Sequence, residues 1–324
     1  MWFGIHWLRK FFMPMPPMNP KSEHSQSPHI ERFYQGKVRD VYFLNNGKLL
    51  MLASDRISAF DVVLPRTIPG KGALLNALAA YFLEKAKSIC PVWLDYVPAA
   101  QVSVGKACKP IPIEIVVRGF LAGHALRCYQ AGQRNVCGVL IPEGLLPYQA
   151  FAEPIITPST KAEQGHDEDI SASEIIRQGI LTTDQWKAVS SIALRLFQQG
   201  QRLAAERGLI LMDTKYEFGW HQNQPMLMDE IHTPDSSRYA YAQDIMPGYP
   251  PKQLSKEFVR EWLMQKGFQG KHGQVVPSMS NQVVEDIYNR YAELYRVLTG
   301  EEPPSRSALP LDTLTLFIEE AAQS

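Results

Sequence analysis

The sequence predicts a mixed α/β protein, and three observations carry that reading. Residues 208–231 hold two apolar runs around a polar turn, with charge returning at every second position of the first run, the periodicity of a strand. Leu74, Leu75, Leu78, Tyr81 and Phe82 recur at helical spacing. So do Trp186, Val189, Ile192, Leu196 and Leu203 in a run that begins at Thr183 and stops at Gly208. At 324 residues the chain is long enough for two domains or one large one.

Composition narrows the function classes. A hydrophobic share of 45% beside 20% charged residues is ordinary for a soluble globular enzyme. Lys+Arg and Asp+Glu both number 33, so no bulk field draws nucleic acid or an anionic membrane, and neither is expected as a partner. Local anion sites remain open. Cys90, Cys108, Cys128 and Cys137 show neither CxxC spacing nor a metal-site pattern, and read as reduced, partly buried thiols of a cytosolic protein. Residues 1–29 begin apolar and aromatic, but Arg9 and Lys10 interrupt the run, leaving it too short for a membrane span. It also lacks a small-residue cleavage site. Pro14, Pro16, Pro17 and Pro20 follow. The reading is a disordered or loosely docked extension, or a start codon placed ahead of Met13, Met15 or Met18.

Order is expected from Ile30. FYQGKVRDVYFLN reads as two strands with a turn at Gly36, carrying Lys37 and Arg39. Such a turn suits a phosphate chain, because glycine allows close backbone approach and two cations offset its charge; it equally suits a plain hairpin. LLMLAS is a buried strand, and SDRISAFD follows it with Ser54, Asp55, Arg56, Ser58 and Asp61. That is either a strand-end site or a turn in which Asp55 pairs with Arg56. Lys71, just before a helix, is placed to meet an anion at the helix N-terminus. In PIPIEIVVRGFLAGHALRCYQAG a strand containing Glu114 ends at Arg118, and a helix follows, a candidate phosphate site. The loop TPSTKAEQGHDEDIS carries Lys161; its His166 to Asp169 run is a poor metal cluster, because consecutive residues rarely converge on one ion. Ser171 and Glu174 form a capping box.

The hairpin at 208–238 organises the rest. Asp213, Lys215 and Glu217 share one strand face, while Ile210, Met212, Tyr216 and Phe218 take the other. A turn centred near Asn223 sets Glu217 opposite Asp229, and two facing carboxylates repel. A cation such as Mg²⁺ removes the repulsion, with Lys215 free to reach a phosphate. The TPDSSR loop then delivers Arg238. A helix from about Ser255 carries Lys256 and Arg260 one turn apart, and another helix spans about Ser280 to Thr299. From Gly300, with Pro303, Pro304 and Pro310, a tail is expected.

The pattern D-x-K-x-E-F-G at 213–219, then D-E-x-x-T-P-D-x-S-R at 229–238, resembles the SAICAR synthetase family of purine biosynthesis. The GKVRD turn, the Arg118 segment, TPSTKAEQGHDEDIS and L-x-K-E-x-x-R appear in family order, so the resemblance covers roughly Phe33 to Thr299. It implies a small β-rich nucleotide-binding domain at 30–112 over a larger α/β domain at 113–300, related to the ATP-grasp and kinase-like arrangement, with a tail at 301–324. The implied activity joins L-aspartate to carboxyaminoimidazole ribotide, with ATP and Mg²⁺, through an acyl phosphate. By the same resemblance Lys37, Arg39 and Lys215 offset the triphosphate, Glu114 lies at the adenine, and Glu217 and Asp229 hold Mg²⁺. Arg118, Lys161, Asp213, Arg238, Lys256 and Arg260 face the ribotide; His124 stands where the family commonly has serine. Lys215 and Asp213 are the implied catalytic groups, with Asp61 a candidate base. A small-molecule kinase and a non-catalytic ribotide-binding protein are the competing readings. Aspartate-dependent turnover separates the ligase from the kinase, and ribotide binding without ADP release would mark the non-catalytic protein.

Overall fold

A computed structural model describes residues 27–161 and 167–324. Most of the 1–29 extension, and His166, lie outside the described residues. The first strands are β1 (Ile30–Gln35), β2 (Arg39–Leu44) and β3 (Lys48–Ala53), followed by the short pair β4 (Ser58–Ala59) and β5 (Val62–Val63). Helix α1 (Lys71–Ala86) precedes β6 (Leu94–Ala99) and β7 (Val102–Lys106). The antiparallel sheet runs β1-β2-β3-β7-β6. The Gly36 turn forms as the sequence predicts, and Arg56 holds it from behind. Its guanidinium donates to the Gly36 and Lys37 carbonyls and pairs with Asp40 at 2.7 Å. Among the described residues Asp55 pairs with no arginine; its carboxylate accepts from the Gly70 and Gly72 amides and caps α1. The anion expected at that helix start is therefore Asp55 itself. Gly72 has no alternative, because a Cβ there would sit 2.1 Å from the Ala53 carbonyl oxygen.

The second sheet begins with β8 (Lys109–Phe120), then α2 (Gly123–Gln130), the short hairpin β9 (Asn135–Val136) and β10 (Val139–Leu140), and β11 (Ala150–Thr160). Helices α3 (Ala172–Arg177) and α4 (Thr183–Ala205) lead to β12 (Leu209–His221), β13 (Gln224–Met228) and β14 (Ser237–Tyr241). The order is β11-β8-β12-β13, with β14 also pairing β12. Register assigns the faces. Ile113, Ile115, Val117, Tyr216 and Phe218 point into the main core with Val189, Leu196 and Phe197 of α4. The alternating residues Glu114, Arg118, Asp213, Lys215 and Glu217 therefore line the opposite face, where Arg118 pairs across with Asp213 and Glu114 with Glu217. Thr182 and Gln185 close a full capping box on α4, whereas the box on α3 closes from one side only: Ser171 accepts from the Glu174 amide, and the Glu174 carboxylate turns to Arg177.

Two expectations about β12 need correcting. Ile210 and Met212 do not share a face with Tyr216 and Phe218. A bulge between Leu211 and Asp213 shifts the alternation, so Leu209 and Leu211 join the main core, and Ile210 and Met212 pack with Ala122 and Ala240 instead. Nor does Glu217 face Asp229. A two-residue turn at Gln222 and Asn223, both at positive φ, pairs His221 with Gln224 and so Glu217 with Met228. Asp229 lies one residue past the strand at φ 57.

Helices α5 (Glu257–Gln265) and α6 (Asn281–Thr299) complete the main core, and α7 (Leu311–Gln323) stands where a tail was expected. Leu314, Ile318 and Ala321 of α7 cover Phe33, Tyr42, Leu44, Leu50, Val102 and Val104 on the outer face of the first sheet. Pro310 sits at the position before the helix, where it interrupts no helical hydrogen bond.

His232, fully buried, accepts or donates a hydrogen bond at 2.6 Å with Tyr216, and among the described residues its Nδ1 has no partner. Burial holds its pKa down to about 3. The unfolded chain takes this proton below about pH 6.5, while the folded chain does not. Stability should therefore fall by about 1.4 kcal/mol per pH unit from this residue as pH drops from about 6.5 toward about 3. Urea unfolding at about pH 7 and about pH 5 checks it: His232→Gln should flatten the difference, and an unchanged slope would exclude His232 as its source.

Candidate active site

The polar face of the second sheet holds two charged centres joined along β12. At one, Lys215 Nζ lies 2.7 Å from Glu114 and 2.6 Å from Glu217, bridging the cross-strand carboxylate pair. Lys161, from the end of β11, pairs with the other Glu217 oxygen. Burial alone pushes the Glu217 carboxyl up, but Lys215 and Lys161 outweigh it and hold the group well below the carboxylate range. Glu114, with Lys215 but also Glu217 beside it, is left raised by burial. The cation between two facing carboxylates is thus Lys215, and the second carboxylate is Glu114 rather than Asp229.

Arg39 reaches this centre from the first sheet, pairing with Asp229 at 3.3 Å and with Glu230. Burial raises the Asp229 carboxyl, and Glu217 and Glu230 add to that while Arg39 opposes it. Asp229 is fixed further by its carbonyl, which accepts from Trp93 Nε1 at 2.8 Å, next to the parallel bridge between Val92 and Leu227. The first sheet and the hairpin therefore meet at Asp229.

At the second centre, Asp213 Oδ2 accepts from Arg118 at 3.0 Å and from Arg238 at 2.7 Å. Arg118 also donates to Thr157, and Arg238 to Glu257, which in turn holds Arg260 at 2.9 Å. Gly123 opens α2 at φ +54; a Cβ there would lie 2.2 Å from the Arg238 guanidinium, so glycine lets the helix start sit against it. Three of the expected ribotide arginines thus converge. Lys256 does not join them. It faces Asp235 at 3.6 Å, beside the fully buried Lys71 at 3.1 Å and the Tyr291 hydroxyl at 2.7 Å. Lys37 and Asp61 pair with each other at 2.5 Å on an exposed edge, apart from both centres' ion pairs, and His124 pairs with Asp169 at 2.8 Å.

Sequence reasoning passed over Glu230, Asp235, Glu257 and Thr157. Asp235 and Glu230 lie inside the very motif that singled out Arg238. The available signal was charge balance, since buried cations require counter-charges.

Paired cations and carboxylates gather on one sheet face, with Arg118, Arg238 and Arg260 grouped around Asp213 and Glu257, an arrangement chemically suited to handling phosphate. A family model described as SAICAR synthetase matches residues 32–275. A Bacteroides thetaiotaomicron protein named phosphoribosylaminoimidazole-succinocarboxamide synthase is 54% identical over 280 residues, covering 85% of this chain and 89% of its own. Among solved structures, the Saccharomyces cerevisiae SAICAR synthase complexed with SAICAR superposes with a TM-score of 0.74 at 31% identity, over 86% of this chain and 97% of that one. A SAICAR synthetase in complex with ADP gives 0.66 at 25% identity, over 85% and 100%. The chain belongs to the SAICAR synthetase family.

Proposed function

We infer that the chain catalyses the SAICAR-forming step of purine biosynthesis, joining L-aspartate to carboxyaminoimidazole ribotide while ATP becomes ADP and phosphate. The observation that carries the reading is the placement of both charged centres on one strand face: Asp213 and Glu217 are four residues apart on β12, about 13 Å at strand rise. That span matches a ribotide on the arginines with its carboxylate directed toward a triphosphate on the lysines. The relatives named above are solved with SAICAR and with ADP, in keeping with a chain that binds a ribotide and a nucleotide.

In this reading residues 30–112 form the nucleotide-binding domain and 113–300 the larger domain. The ribotide carboxylate attacks the γ-phosphoryl, the acyl phosphate forms, and the aspartate amine displaces phosphate. Lys215, Lys161, Arg39 and Lys37 offset the triphosphate charge, since phosphoryl transfer depends chiefly on positioning and neutralisation. Glu114 lies at the adenine end. Arg118, Arg238 and Arg260 grip the ribotide, with Asp213 orienting both arginines and Lys256 serving its phosphate once it leaves Asp235. Asp61 is the candidate acceptor for the amine proton. Carboxylate oxygens suit Mg²⁺, and Asp229 and Glu217, near enough to act on each other electrostatically, are the two residues that would hold that ion. When bound it would screen the phosphate oxygens.

The test is ADP release by purified protein given ATP, Mg²⁺ and ribotide, with and without L-aspartate. Aspartate-dependent release, reduced about a hundredfold or more in Glu217→Gln and Asp229→Asn, is expected. Release indifferent to aspartate would replace the ligase with a phosphotransferase.

A further inference from the structure

His124 and Cys128 lie one turn apart on the same face of α2, with Cys128 Sγ 3.5 Å from His124 Nε2. Asp169 approaches from the strand-like bridge it forms with Ser159, and its Oδ2 is 2.8 Å from the same imidazole nitrogen. One donor atom from each of these residues lies within 4.8 Å of the others. Cys137 supplies a fourth group. It occupies the tip of the β9–β10 turn at φ 52, close enough to Asp169 for the thiol and the carboxylate to influence each other. An imidazole, a thiol and a carboxylate thus lie within 4.8 Å of one another, with the Cys137 thiol arriving beside Asp169 from a third segment.

We propose that these four residues form a binding site for a zinc-class divalent cation, separate from the carboxylates assigned to Mg²⁺. Thiolate and imidazole donors favour zinc over magnesium, and a tetrahedral zinc site requires donor atoms roughly 3.3–3.8 Å apart. His124 and Asp169 need to separate by only about 0.5–1 Å to meet that spacing. Arg118 lies close enough to act electrostatically on Cys128, Cys137 and Asp169, offsetting the negative charge that two thiolates and a carboxylate leave on a dication. Without metal the two thiols stay protonated: burial and the Asp169 charge push Cys137 up to about 12, and push Cys128 up as well. An ion here ties the start of α2, which sits against Arg238, to the β9–β10 turn and to the segment entering α3.

Purified full chain, stripped with a chelator under reducing conditions, is titrated with Zn²⁺ and separately with Co²⁺. The expected result is one ion per chain, a tetrahedral cobalt spectrum with thiolate charge-transfer absorption, and a higher melting temperature with Zn²⁺. Cys128→Ser and Cys137→Ser should each weaken Zn²⁺ binding by at least about a hundredfold, more than loss of an outer hydrogen-bond partner costs. Both variants should melt like the parent in chelator, which separates loss of metal from loss of fold. No stoichiometric uptake, cobalt absorption without thiolate character, or binding unaffected in the Cys128→Ser, Cys137→Ser double variant would overturn the site.

Discussion

Lys215→Met should lower the turnover number at saturating substrates by about a thousandfold or more, the largest effect expected from one substitution in this protein. Two consequences combine. On the proposed reading of the reaction, the change removes a fixed positive charge from the point where phosphoryl oxygens gather. In the resting protein it removes the ammonium that separates Glu114 from Glu217, which then face each other across strands with Lys161 as the remaining counter-charge. Like charges in that position repel, so the carboxylates shift apart or one takes up a proton. Lys215→Arg keeps the charge but replaces a compact ammonium with a planar fork, so it should restore the fold and little of the rate. The measurement is steady-state turnover with nucleotide affinity determined separately by calorimetry. If Lys215→Met kept about a tenth of parental turnover, the charge-neutralising role would be wrong, however much its stability fell.

The Glu114–Lys215–Glu217 arrangement also marks how far the sequence could be read. Alternation along 213–217 revealed the charged face, because charge at a period of two between apolar runs places every charged side chain on one side of a strand. It did not reveal which carboxylate opposes Glu217. That depends on whether the turn holds two residues or three, and His221-Gln222-Asn223-Gln224 carries no glycine to decide it. Glu114 comes from a strand joined by tertiary pairing alone. The Met212 bulge was hidden for a related reason, since an extra residue leaves the local apolar pattern intact while exchanging its faces.

Helix α7 illustrates the opposite case, a signal present and outweighed. Leu314, Ile318 and Ala321 recur at helical spacing, yet the prolines ahead of them suggested a tail. Pro310 in fact marks the helix entry, one residue ahead of the first helical turn, where its missing N–H costs the helix nothing. The His124, Cys128, Cys137 and Asp169 cluster lay beyond any spacing rule. Only the two residues on α2 are near in sequence, and the rest arrive through the β9–β10 turn and the Ser159 bridge. Arg118 and Arg238 stood out in the sequence as candidate anion-binding cations, but their shared dependence on one carboxylate did not.

That dependence makes Asp213→Asn a test of fold and function together. Asp213 Oδ2 serves two buried guanidiniums, and Glu257 remains as the other carboxylate in contact with Arg238. The amide keeps the shape and one acceptor but removes the charge, leaving Arg118 and Arg238 to repel each other in a desolvated setting. Breaking a buried pair by removing one partner costs about 3–5 kcal/mol, so the variant should melt about 10 °C below the parent. The same change frees the arginines to accept an anion. Phosphate or sulfate should therefore raise the melting temperature of Asp213→Asn by several degrees more than it raises that of the parent, by about RT ln(1 + [L]/Kd). Turnover should fall even with stability restored in this way, because an anion held where Asp213 stood cannot orient both arginines toward a ribotide. Melting within about a degree of the parent would show that the Arg118–Asp213–Arg238 contact adds nothing to the fold. A large loss without anion rescue would show that the two arginines do not form an anion site.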